Sequence, residues 1–188
     1  MTRDDILESA AQVFRQKGFH GASMADIAEA VQLQKASLYH HFSSKQEILV
    51  ELLDRALDMV STQMQSVMAR DIPADEKLTL AMQTYLQTLS QQGDLVFVLL
   101  LEYRSLEADL YARHIPNRDR FERMWRDLLS EGVAAGVFEC ADVAMAARAL
   151  LGMLNWSITW YRPEGRKSIE EIADQYAHIL LNGLRPRQ

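Results

Sequence analysis

Residues Lys35 to Ile48 read KASLYHHFSSKQEI. Two aromatics, two adjacent histidines, three serines and two lysines fall within fourteen residues. Two chemistries suit such a set: metal ligation by imidazole, or recognition of a polar, anionic surface. Adjacent histidines cannot face one way on a helix, and His20, His40, His41, His114 and His178 show no ligand spacing, so no metal site is expected. On a helical wheel of ~100° per residue, Leu38 and Phe42 define an inward direction. Ala36 and His40 then point directly away from the core, flanked by Ser37 and Tyr39. This outward face is short and rich in hydrogen-bonding groups, which suits close approach to another surface.

The elements that must position this face are helical. Ile6, Leu7, Ala10, Val13 and Phe14 form one apolar stripe, opened by Thr2-x-x-Asp5 and closed by Lys17-Gly18. Ser23-x-x-Asp26 opens a short second helix with Met24, Ile27, Ala28 and Val31 inward. A third covers roughly 35–42, after a tight turn at Val31-Gln32-Leu33-Gln34. Ser44-x-x-Glu47 reads as a full capping box that starts a helix over Lys45 to Ala69, about 37 Å long at ~1.5 Å per residue. Two short helices joined by a turn of about four residues, the second with a polar outer face, describe a helix-turn-helix. Lys45 stands at the first turn of the long helix, where its charge joins the positive end of the helix dipole as a phosphate site.

The rest is also helical by period, near 75–92, 94–112, 118–135, 142–162 and 168–184, with Gly93, Pro116, Gly136 and Pro163-Glu164-Gly165 as punctuation. No stretch alternates apolar and polar residues, so the fold class is all-α. A helix-turn-helix domain over 1–46 is expected to precede a helical ligand-binding and dimerisation domain over 47–188. Net charge is −6 over 188 residues, so any nucleic-acid site must be local. Residues 1–45 are neutral, with five basic residues (Arg3, Arg15, Lys17, Lys35, Lys45) against five acidic ones (Asp4, Asp5, Glu8, Asp26, Glu29). The single cysteine, Cys140, excludes an internal disulfide and suits the cytoplasm. The N-terminus lacks the basic start and apolar stretch of a signal peptide. Val143–Tyr161 is 19 residues with one charge, Arg148, but Asn155, Ser157 and Thr159 favour a helix buried on both faces over a membrane span. No Gly-rich phosphate loop, GxSxG or HExxH occurs, so no catalytic residue and no cofactor are expected.

These residues alone leave open whether Tyr39 and His41 merely plug gaps between short helices. Residues 2–49 resemble the N-terminal DNA-binding domain of TetR-family transcriptional repressors. The matching pieces are Phe14 to Gly21, Ser23 with Ile27-Ala28, Lys35-x-Ser37-Leu38-Tyr39-x-x-Phe42, and Lys45-x-Glu47. The resemblance implies double-stranded operator DNA, a small-molecule effector and a homodimer as partners. It assigns phosphate contacts to Tyr39 and Lys45, places His40, Ser37 and Lys35 near base edges or backbone, and gives Ser23 a capping hydroxyl that touches phosphate. The chain departs from the family at Gln32 and Ala36, where glycine is usual, and at Gln34, where serine is usual. Gln34 is a poorer cap that reaches further toward a base. If the turn needs φ > 0, Gln32 carries strain.

In the remainder, helices 142–162 and 168–184 are the expected dimer face. An effector pocket is expected among the middle helices, from Phe97 in the apolar run Leu95–Leu101, Arg104, Trp125, Trp156 and Trp160. The stretch Asn155 to Gly165 resembles a sub-branch of the family that senses acyl- or steroid-derived coenzyme A thioesters. That would make Arg162 and Arg166 partners for the ligand's phosphates. The expected function is a repressor released from DNA by an amphipathic effector, with a long-chain acyl-CoA as one candidate. The alternatives are a multidrug-type sensor controlling an efflux gene and a helical interaction protein without DNA binding.

Overall fold

A computed structural model describes residues 2–184. Among them, nine α-helices occur and no strand: α1 Arg3–Gly21, α2 Met24–Ala30, α3 Lys35–His41, α4 Lys45–Met68, α5 Ala74–Gln91, α6 Gly93–Phe97, α7 Ala108–Ala134, α8 Val143–Trp160 and α9 Ile169–Leu184. A π-helical turn, Val98–Glu102, and a 3-10 turn, Tyr103–Ser105, lie between α6 and α7. The chain forms two compact units. One takes the residues up to Asp58 together with Gln92–Asn117, and the other takes Met59–Gln91 with the residues from Arg118 onward. This division does not follow the expected boundary at 46. Ile48, Leu49, Leu52 and Leu53 of α4 are fully buried, and α6 with the π turn packs on α1, so both complete the first unit's core.

The first unit begins with reciprocal caps. The Thr2 N–H donates to the Asp5 carboxylate at 2.6 Å, and the Asp5 N–H donates to the Thr2 hydroxyl at 3.2 Å. Gly18, with φ 69°, breaks α1 where Lys17-Gly18 predicts its end, and one further turn carries the chain to Gly21. Ser23 and Asp26 form the same reciprocal box on α2. The turn into α3 closes by two backbone bonds, Leu33 N–H to the Ala28 carbonyl and Gln32 N–H to that of Glu29. This is a Schellman closure, and its left-handed position is Gln32 at φ 55°. Glutamine therefore bears the strain that glycine avoids at this position. Gln34 stands at the N-cap of α3 without a side-chain capping bond.

The Ser44-x-x-Glu47 box forms by half. Ser44 accepts the Glu47 N–H at 3.1 Å, but the Glu47 carboxylate turns to the N–H and hydroxyl of Ser43, both at 2.7 Å. The reason is Arg3. Its guanidinium reaches Glu47 at 3.0 Å, binds Glu51 through two nitrogens, donates to the His41 carbonyl and lies 3.9 Å from the Phe42 ring centroid. One side chain at the start of α1 thereby fixes the end of α3 and the start of α4. The two carboxylates raise the arginine's proton affinity further, and Ser43 with Arg3 lowers the Glu47 pKa.

The predicted helix over 94–112 is interrupted. The chain passes from α6 through the π and 3-10 turns to an extended Leu106, ψ 140°, before α7 begins. Pro116, expected to punctuate, sits inside α7 instead. Pro116 and Ala112 are both exposed, so the carbonyl left without an i→i+4 donor belongs to the solvent side.

In the second unit α5 packs on α9 and α8 around Leu78, Met82, Leu86, Trp125, Leu128, Leu150 and Leu154. The Phe138 ring lies where a Cβ on Gly132 would be, so glycine is required there. Asp142 caps α8 by accepting the Met145 N–H at 2.9 Å. Helix α8 buries Ala147, Leu150, Leu154 and Ser157, and its opposite side is apolar yet open. No helix among the described residues is long and apolar enough to cross a membrane.

Candidate nucleic-acid interface

Helix α3 follows the predicted wheel. Leu38 and Phe42 are buried; Gln34, Lys35, Ala36, Tyr39 and His40 are exposed, and Ser37 is half-buried. Tyr39 shows 46% of its surface, unusual for a large aromatic that could pack inward. Ser23 is exposed at the start of α2, with its hydroxyl already engaged by Asp26. The Lys17 ammonium at 2.5 Å, together with Ser23, holds the Asp26 carboxyl well below the usual range.

The basic residues of this region are mostly committed to the fold. Arg3 pairs with Glu47 and Glu51, Arg15 with Asp94 at 2.7 Å, and Lys17 with Asp26. Lys45, expected to face a phosphate, turns inward. Its ammonium donates to the carbonyls of Phe19 and Ala22, the latter at 2.6 Å, and stands 4.2 Å from the Phe19 ring centroid. It ties the Gly18 break to the start of α4. Among the five cations of residues 2–45, Lys35 alone has neither a carboxylate nor a carbonyl partner in the described structure. Its ammonium lies 6.0 Å from the Tyr39 ring centroid. Helix α3 contains no acid, so its face carries local positive charge on a neutral head.

The residues expected to line an effector pocket do not form one group. Phe97 and Arg104 belong to the first unit, where Phe97 is half-buried and Arg104 donates to the Tyr103 hydroxyl at 3.0 Å. Trp125 is buried in the second unit, in an aromatic cluster with Tyr85 (5.7 Å between centroids) and Phe121 (6.4 Å). Trp156 and Trp160 are 66% and 44% exposed, on the open side of α8. Arg162 donates to the Tyr161 carbonyl and is exposed, as is Arg166. One interior group was not expected. The Tyr85 hydroxyl donates to Asn155 at 2.8 Å, and burial pushes the phenol's pKa up. Tyr85 borders a mostly apolar cleft, too narrow to hold a water molecule, between Val60, Gln63, Met64, Ala81, Thr84 and Thr88. A hydroxyl on the apolar stripe Leu78, Ala81, Met82, Tyr85 was the available signal. The buried Trp125 indole N–H has no partner among the described residues.

Comparison with known proteins agrees with this geometry. Residues 6–52 match the family model of bacterial regulatory proteins of the tetR family, and residues 71–184 match that of the Tetracyclin repressor-like C-terminal domain. The HTH-type transcriptional repressor KstR2 of Mycolicibacterium smegmatis is 31% identical, over 99% of this chain and 92% of its own length. The crystal structure of the TetR family transcriptional regulator PfmR from Thermus thermophilus superimposes with a TM-score of 0.87 at 38% identity, over 96% of this chain and 99% of that one. The structure of AibR in complex with isovaleryl coenzyme A and operator DNA superimposes with a TM-score of 0.89 at 26% identity, over 95% and 97%. With a helix-turn-helix head and a helical C-terminal domain both matched, the chain belongs to the tetR family of bacterial regulatory proteins, which are DNA-binding transcription regulators and not enzymes.

Proposed function

We propose that this chain is a homodimeric repressor, acting in the cytoplasm, that an anionic amphipathic effector releases from its operator. The observation that carries the DNA reading is the outward face of α3: small, polar, free of acids, and held by buried Leu38 and Phe42. Gln34, Ser37 and His40 are its readers of base edges, Tyr39 and Lys35 contact phosphate, and Ser23 approaches the backbone from α2. Lys45 supports the head and has one N–H left for a phosphate. Lys35→Ala should weaken promoter binding across sequences and reduce the slope of log affinity against log salt by ~0.9, without changing thermal stability. Lys45→Ala should lower thermal stability. Anisotropy titrations over a salt series check the first and thermal melts the second; an unchanged slope in Lys35→Ala would remove Lys35 from the phosphate contacts.

Dimerisation is supported by the open side of α8. Met145, Gly152, Trp156 and Trp160 lie there, and Ile179 of α9 is exposed as well. Gly152 has nothing within 4 Å of where a Cβ would stand, so the position is open for a second α8 to approach closely. Two copies give two half-sites about 34–36 Å apart, which a single short recognition helix cannot read. Gly152→Arg should leave the protomer helical and split the dimer. Sedimentation equilibrium at micromolar concentration reads the outcome, and a wild-type monomer would contradict this assembly.

For the effector, the buried Trp125 indole N–H, unpaired among the described residues, suits an accepting oxygen, and the apolar side chains around Tyr85 suit an acyl group once they part to admit it. Exposed Arg162 and Arg166 suit phosphates. The likeness to AibR, whose structure contains isovaleryl coenzyme A, supports the same ligand class. Acyl-CoAs of increasing length should release promoter DNA with rising potency, each buried CH₂ adding ~0.8 kcal/mol, and free coenzyme A should not. Release by a neutral apolar drug, and by no acyl-CoA, would favour the multidrug-type sensor.

A further inference from the structure

The segment between α6 and α7 is irregular, and it makes specific polar contacts with the DNA-binding head. Gly18 breaks α1, which leaves the Phe19 N–H outside the helix ladder. The Glu102 carboxylate accepts that N–H at 3.2 Å. Its other oxygen accepts the Ser105 hydroxyl at 3.2 Å. At Ser105 and Glu107 the Gln46 carboxamide binds the chain twice, donating to the Ser105 carbonyl at 2.9 Å and accepting the Glu107 N–H at 3.2 Å. Arg15 of α1 pairs with Asp94 of α6, the helix that leads into this segment. Both ends of the helix-turn-helix are thereby held. Phe19 lies just before α2, and its carbonyl receives Lys45; Gln46 lies in the first turn of α4, just after α3.

We propose that Glu102 and Gln46 are positioning residues that set operator affinity by clamping the head through the 102–107 segment. This rests on the repressor reading above. Helix α3 is seven residues long and has no side-chain cap, so its orientation depends on such external supports.

Linkage makes the proposal measurable without knowing the effector. If the clamp raises DNA affinity by some factor, DNA must stabilise the clamp by the same factor. The test measures Phe19 amide hydrogen exchange and promoter affinity for wild type, Glu102→Ala, Glu102→Gln and Gln46→Ala, at a temperature where all are folded by circular dichroism. Promoter DNA should slow Phe19 exchange in wild type. Glu102→Ala should speed it, leave the Ile27 and Leu38 amides protected, and weaken promoter binding about tenfold. Glu102→Gln keeps an accepting oxygen and should restore both. Gln46→Ala should weaken binding similarly, and it decides the matter if Glu102→Ala does not fold. Folded alanine variants with wild-type promoter affinity would overturn the clamp while leaving the repressor reading intact. Wild-type protein that binds no promoter DNA would overturn that reading and the clamp with it.

Discussion

The DNA-binding head depends on the Arg3 guanidinium. It meets two carboxylates of α4, the carbonyl that ends α3 and the face of the Phe42 ring, so four separate groups converge on one planar cation. Arginine suits this place because its donors form a rigid fork and its face stacks on an aromatic, neither of which lysine can match. The pairs are partly exposed, so each contributes little alone. Their joint effect is geometric. They fix where a seven-residue helix ends and therefore how its outward face is aimed.

The same use of charge explains how a neutral head can address a polyanion. Four of its five cations are committed to carboxylates or carbonyls inside the unit, with Glu47, Glu51, Asp94 and Asp26 as the carboxylate partners. The groups that remain on α3 are Lys35, with Tyr39, His40, Ser37 and Gln34 and no acid. Net charge summed along the chain conceals this, because it counts paired and unpaired charges alike.

Much of the head is legible in the sequence because its signals are local. The apolar stripe of α1, the Thr2 and Ser23 boxes and the Gly18 break all derive from spacing and backbone chemistry within a few residues, whereas the left-handed position at Gln32 is indicated by the family resemblance, in which glycine is usual there. Long-range contacts are not legible. The place of Lys45 in α4 marks it as a phosphate contact, but the Phe19 and Ala22 carbonyls that hold it are more than twenty residues earlier. Arg3 likewise draws half of the Ser44 box away to Ser43. The break at Leu106 and the continuation of α7 through Pro116 depend on which residues face water, and a proline marker cannot show that. Size alone places Trp156 and Trp160 in a pocket, and the fold turns them outward on α8. For these tryptophans, apolar period indicates burial against something and does not distinguish a protomer's own core from another surface.

The most direct test of the role given to Arg3 is the promoter affinity of Arg3→Met across a salt series, measured with the protein folded. Methionine retains an apolar stem over Phe42 and removes every guanidinium bond. Because Arg3 supports α3 without touching DNA, affinity should fall by about tenfold and the salt slope should stay at the wild-type value. Unchanged affinity would show that the recognition helix does not depend on Arg3, and a slope reduced by ~0.9 would make Arg3 itself a phosphate contact.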